Sequence, residues 1–288
     1  EGFYGVGGER YVVGEGDFLA LGHHKLRFSL IPMVHWPETM VTYDETEGIL
    51  FSGDAFGCFG ALNGGVIDAN INTDIYWDEM VRYYSNIVGK YGAPVQKALQ
   101  KLQALKINAI CSTHGPVWTE EIPRVVRIYD RLSRYEAEEG VVIAYGTMYG
   151  NTAEMAEAIA EELSKQGIRN IVMHNVSHTN HSYIIADVFK YRGLIVGCPT
   201  YNTQMYPEME ALLNKLSARE IKGRYMGWFG SFTWASAAVK KITEFNDKLK
   251  FEPVGNPIEM KHSMKSETYV QCKELAKAMA DRLKADRK

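Results

Sequence analysis

Val141-Val142-Ile143-Ala144-Tyr145-Gly146-Thr147-Met148-Tyr149-Gly150-Asn151-Thr152 decides the fold of the second half of this chain. An apolar run of strand length enters a polar loop containing glycine, and the helical pattern of about Ala153–Gln166 follows. Strand, loop and helix in that order form one unit of an α/β sheet. In such a sheet the loop at the carboxyl end of the strand is the phosphate site, because the helix N–H groups and dipole favour an anion. Thr147 and Thr152 add hydroxyls there, and Gly150 lets a ligand approach the backbone closely. No lysine follows, so the loop is not a GxxxxGK[ST] motif, and GxGxxG is also absent. The plain alternative is an ordinary helix start capped by Asn151 or Thr152.

The same alternation continues outward. Strands are expected near 170–175, 193–198, 224–229 and 252–260, with helices at 208–216, 235–249 and 268–285. With Val141–Tyr145 this predicts a doubly wound, five-stranded parallel sheet. Two later strand ends carry further loops, Pro199-Thr200-Tyr201-Asn202-Thr203 and Ser231-Phe232-Thr233-Trp234-Ala235. Each offers an aromatic ring and backbone polar groups at the same sheet edge. A flat ring system with a phosphate tail suits that arrangement. Aromatic residues at the rim of a core are the simpler account.

These residues resemble the flavodoxin-like FMN-binding family. The loop Thr147–Thr152 is similar to its phosphate loop, although Tyr149 stands where flavodoxins usually carry Ser or Thr. The Thr-Met-aromatic version, with Gly197-Cys198-Pro199-Thr200-Tyr201-Asn202, is similar to the flavodoxin domain of flavodiiron proteins. The resemblance implies FMN held by Thr147, Met148, Tyr149, Gly150, Asn151, Thr152, Pro199, Thr200, Tyr201, Asn202, Ser231, Phe232, Thr233, Trp234 and Ala235.

The first half has different grammar. Short apolar runs at 10–13, 26–31, 39–43 and 48–51 read as strands. Helices are expected at 75–90 and 94–105, a strand at 109–111 and a helix at 122–135. The charged run Arg134–Gly140 reads as a linker, dividing the chain into 1–138 and 139–288. Three apolar strands each stop at a coordinating side chain and turn: Leu30-Ile31-Pro32-Met33-Val34-His35, Gly48–Gly53 before Asp54, and Ala109-Ile110-Cys111-Ser112-Thr113-His114. Asp after Gly, or His before Gly-Pro, is usually a turn residue. Together, two imidazoles and a carboxylate at strand ends have the donor chemistry of a metal site.

His35-Trp36-Pro37-Glu38-Thr39-Met40, Leu50-Phe51-Ser52-Gly53-Asp54-Ala55-Phe56-Gly57 and Ser112-Thr113-His114-Gly115-Pro116 resemble the later motifs of the metallo-β-lactamase-like domain of flavodiiron proteins. The resemblance implies a partial αββα sandwich followed by a flavodoxin-like sheet of order 2-1-3-4-5. It further implies that His35 ligates one iron, His114 the other, and Asp54 bridges them. The family's remaining ligands come from an upstream His-x-Glu-x-Asp-His motif, which this sequence lacks; Gly22-His23-His24-Lys25 reads as a hairpin turn instead. The chain begins Glu1-Gly2-Phe3-Tyr4-Gly5 without Met, so a missing upstream segment, or a separate N-terminal fragment, is expected. The implied activity is electron transfer through FMN to a di-iron centre that reduces O2 to water or NO to N2O. A head-to-tail homodimer and a rubredoxin or flavin reductase as donor are implied with it. Two other readings stay open: an FMN electron carrier with an inactive metal domain, and a zinc hydrolase fused to a flavodoxin.

Composition narrows the classes. The 288 residues are 46% hydrophobic with a formal net charge of −3, which predicts a globular chain and disfavours nucleic acid as a partner. No apolar run approaches the ~20 residues of a membrane helix. Four scattered cysteines without CxxC pairing point to a reducing compartment, hence the cytoplasm. His174, His178 and His181 read as surface loop residues, and Cys198 as a small buried apolar residue.

Overall fold

The protein is described here by a computed structural model covering residue 5 and residues 7–287. The chain opening Glu1–Tyr4 lies outside the described residues.

The first half builds one sheet in the order β1 (Phe18–Leu21), β2 (His24–Leu30), β3 (Met40–Asp44), β4 (Ile49–Gly53), β5 (Ala109–Ser112), β6 (Val117–Trp118). Neighbours are antiparallel except β4 and β5, which run parallel. A parallel pair needs a crossover. The segment between them supplies it as α1 (Asp74–Tyr83) and α2 (Gly92–Leu102), and α3 (Ile122–Ser133) follows β6. Alternation sets the buried face: Val41, Tyr43, Leu50 and Ile110 point into the core with Met80, Val95 and Val125 from the helices.

Two expectations for this half need correction. Residues 10–13 form no strand among the described residues, and Tyr11 and Val12 are exposed. The helix expected over 75–90 is α1 continued by a π-helical turn, Tyr84–Val88, ending at Gly89 with φ +51°.

The second half contains β7 (Glu138–Tyr145), α4 (Asn151–Lys165), β8 (Ile171–Asn175), α5 (His181–Lys190), β9 (Tyr191–Tyr201), β10 (Gln204–Met205), α6 (Pro207–Ser217), β11 (Tyr225–Phe232), α7 (Ala238–Leu249), β12 (Glu252–Pro253), β13 (Ile258–Lys261) and α8 (Ser266–Ala285). Its path is β12-β11-β9-β7-β8, with β13 also on β11, all parallel. Counted as successive parallel strands, this is the expected 2-1-3-4-5. Met155, Ile159, Leu275 and Met279 of α4 and α8 bury one face. Ile184, Leu212, Leu213 and Ile242 of α5, α6 and α7 bury the other.

Helix α5 was not expected; its segment reads as a loop because three histidines and polar residues surround it. Asn180 caps it, its side chain accepting from the Ser182 N–H at 2.9 Å, and Ile184, Ile185, Val188 and Phe189 supply the buried face. The strand expected over 252–260 is two pieces interrupted by Gly255, φ +69°.

β7 already begins at Glu138, so the charged run is a tight junction rather than a free linker. Arg224, 1% exposed, closes it. Its guanidinium donates to the carbonyls of Val188 (2.7 Å), Phe189 (2.8 Å), Lys222 (2.7 Å) and Tyr135 (2.9 Å). Lys190 to Asp78 (2.9 Å) and Asn86 to the Ser182 carbonyl (3.0 Å) add links between the halves.

Candidate functional site

A cleft opens at the carboxyl edge of the second sheet. Helix α4 starts after Gly150, whose φ is +92° and where a Cβ would meet nothing within 4 Å. No side chain caps this helix, so its first N–H groups are free to receive an anion. Met148, Tyr149, Asn151, Thr152, Pro199, Thr200, Ser231, Phe232, Thr233, Trp234 and His262 line the cleft, of about 210 Å³. A smaller recess beside it is lined by Thr200, Asn202, Thr203, Thr233, Trp234 and Ala235. Tyr149 and Trp234 stand out from the surface, 87% and 86% exposed.

Several hydroxyls have local work. The Thr152 and Ser231 hydroxyls share a buried 2.8 Å hydrogen bond tying α4 to β11. Thr147 Oγ1 accepts from the Gly150 N–H at 3.1 Å and so shapes the loop. Thr200 Oγ1 accepts from the N–H groups of Ala237 and Ala238 and caps α7. The backbone, more than these side chains, is left to meet a ligand. Tyr201 lines neither cavity, and Cys198 is fully buried in the core. Sequence reasoning missed His262; it follows β13 directly, the same position after a strand that marked the other loops. The free helix start, the unobstructed glycine and the walls of Met148, Pro199, Phe232 and Trp234 fit a phosphate ester of a flat aromatic ring, as FMN is.

The other candidate residues meet at the carboxyl ends of β4 and β5. His35 Nε2 lies 3.1 Å from Asp54 Oδ2, and His114 Nε2 lies 3.3 Å from Asp54 Oδ1. Thr113 donates to Asp54 Oδ1 at 2.7 Å and orients the carboxylate. Among the described residues no three such side chains surround a single ion position. One imidazole on each carboxylate oxygen instead suits two ions sharing a bridge. His and carboxylate donors suit iron, and zinc as well. Three protein ligands leave most coordination positions of two ions open, and the His114 side chain is 52% exposed.

Tyr83 was not anticipated. Its ring lies 5.5 Å from that of His114, and its buried hydroxyl has no hydrogen-bond partner among the described residues. Burial first, then the Asp54 carboxylate, push this phenol well above the usual range. No local signal marks it; a tyrosine on a helix reads as core. His174 is also corrected: it sits on β8 and bonds Asp187 of α5 at 2.7 Å. His181 opens α5, lowered by burial and by Lys215; His178 stays in the exposed turn between β8 and α5.

Comparison with known proteins places the two halves. A flavodoxin family model matches residues 143–284, and a model described as ODP family beta lactamase matches residues 3–115. An uncharacterised protein of Methanocaldococcus jannaschii is 32% identical over 271 residues, covering 94% of this chain and 68% of that protein. A nitric oxide reductase of Moorella thermoacetica is 29% identical over 275 residues, with the same coverage of 94% and 68%. The solved flavodiiron protein of Giardia intestinalis superposes with a TM-score of 0.91 at 26% identity, over 96% of this chain and 68% of that one. This chain belongs to the flavodiiron proteins. The rubredoxin oxygen:oxidoreductase of Desulfovibrio gigas superposes with a TM-score of 0.92 at 27% identity, over 96% and 70%. The flavodiiron family is one of oxidoreductases whose cofactors are FMN and a non-haem di-iron centre. Both halves that carry them are matched here.

Proposed function

We propose that this flavodiiron chain takes electrons from an external donor at the flavodoxin-like half, 139–288, and uses them at a di-iron centre in the half 1–138 to reduce O2 to water or NO to N2O. The observation that carries this reading is the pairing of His35 and His114 on opposite oxygens of Asp54, in the same chain as an uncapped phosphate cleft. FMN supplies exchange between two-electron and one-electron transfer when bound. The N–H groups opening α4 and the loop Thr147–Thr152 bind its phosphate. The segments 199–202 and 231–235 would hold the ring, with the exposed Trp234 and Tyr149 as its aromatic neighbours. His35, His114 and Asp54 would supply three of the protein ligands for the two ions, and Thr113 orients the Asp54 carboxylate. The ligands still needed come from a separate or upstream segment. A rubredoxin or a flavin reductase is the donor, and two copies associate head to tail so that the cleft of one faces the metal site of the other. The described cysteines form no disulfide, which supports a cytoplasmic location. No helix among the described residues is long and apolar enough to cross a membrane.

A second reading is favoured by the sparse metal ligation: an FMN electron carrier whose first half holds no working metal. Iron and flavin analysis of the chain, purified with any segment that supplies the missing ligands, separates the two. Flavin with about two irons per chain supports the reductase, since a bridged pair fills together. Flavin without iron supports the carrier, and absence of flavin refutes both.

A further inference from the structure

We infer that His262 is a phosphate-recognising wall of the FMN cleft, the residue by which this chain distinguishes FMN from riboflavin. The inference deepens the FMN reading and rests on it. His262 lines the main cleft with Asn151 and Thr152 of α4, where the free helix N–H groups lie. It shares that cleft with the two residues that open α4, whose N–H groups would meet the phosphate. Among the residues lining the main cleft it is the one able to carry positive charge. Neither Lys nor Arg is present there to balance a phosphate dianion.

Its position is built by the fold. β13 runs parallel to β11 with Lys261 opposite Phe232, so His262 is the first residue beyond the pair on the carboxyl edge. Its N–H donates to the Phe232 carbonyl at 2.9 Å, and its backbone lies in the left-handed region, φ +67°. That conformation is uncommon for a residue with a side chain. An imidazole there would donate a hydrogen bond to the charged phosphate oxygen, beside the backbone donors of the α4 start.

The test uses the full 288-residue chain stripped of flavin, titrated with FMN and with riboflavin by flavin fluorescence. The readout is the ratio of the two affinities in the parent, His262→Ala and His262→Gln. The expected result is a ratio about tenfold smaller in His262→Ala, through weaker FMN binding with riboflavin binding unchanged, with His262→Gln between. An unchanged ratio, or FMN and riboflavin weakened together, overturns the inference. A parent chain that fails to prefer FMN refutes the phosphate site itself, which separates that failure from failure at His262.

Discussion

Asp54 is the residue on which the metal reading turns. Its carboxylate spans His35 and His114, and Thr113 holds it in place. Removing a bridge leaves each ion with a single protein ligand from this chain, and removing one oriented ligand already costs ten- to a hundredfold in affinity as an order of magnitude. Asp54→Ala is expected to lose iron, measured by elemental analysis, while the flavin absorbance of the same sample is unchanged. Retained iron would show that the bridge assignment is wrong. At this scale the sequence was informative where a strand ended in an unusual side chain, as at His35, Asp54 and His114. It was uninformative for Tyr83, whose importance arises only when α1 brings its ring within 5.5 Å of that of His114.

Elements are stabilised by pieces that local patterns do not reveal. Asp68, in a single helical turn before α1, accepts from the N–H groups of Thr119, Glu120 and Glu121 at 2.9 Å and from the Thr119 hydroxyl. It fixes the segment that leads into α3 from a remote part of the chain. Burial pushes its pKa upward, but these donors outweigh burial and hold it below the usual carboxylate range. A depressed pKa contributes stability that is complete above the unfolded value, about 3.9, and is lost as pH falls through the lower folded value. Asp68→Ala is expected to cost about 1–3 kcal/mol at neutral pH by urea unfolding. The penalty should shrink once acid protonates the parent's Asp68; a pH-independent difference would refute the assignment. The strands of the second sheet were legible because buried parallel strands are continuous apolar runs, as in Val141–Ala144 and Leu194–Val196. Helix α5 was not, since its Asn180 cap sits among histidines, and residues 10–13 misled because Tyr11 and Val12, apolar in the sequence, stay exposed.

In the whole molecule Arg224 joins the two halves through Tyr135, beside the Lys190–Asp78 and Asn86–Ser182 links and a shared apolar core. Arg224 is surrounded by carbonyl oxygens from α5, Tyr135 and Lys222, and burial lowers its pKa to about 9. Arg224→Ala leaves those carbonyls unpaired and is expected to cost at least about 3 kcal/mol in urea unfolding. A loss within experimental error would mean the junction is held elsewhere. On the proposed head-to-tail arrangement, light scattering is expected to give twice the chain mass. A monomer would refute the head-to-tail arrangement. The chemistry of the fastening has one more consequence. Because its acceptors are neutral carbonyl dipoles around a guanidinium that is itself 1% exposed, rather than exposed carboxylates, mobile ions screen it less than they would the Lys90–Glu220 pair. A molar brine that strips away surface attractions should leave this joint stiff, and the two halves should still melt as a single cooperative block.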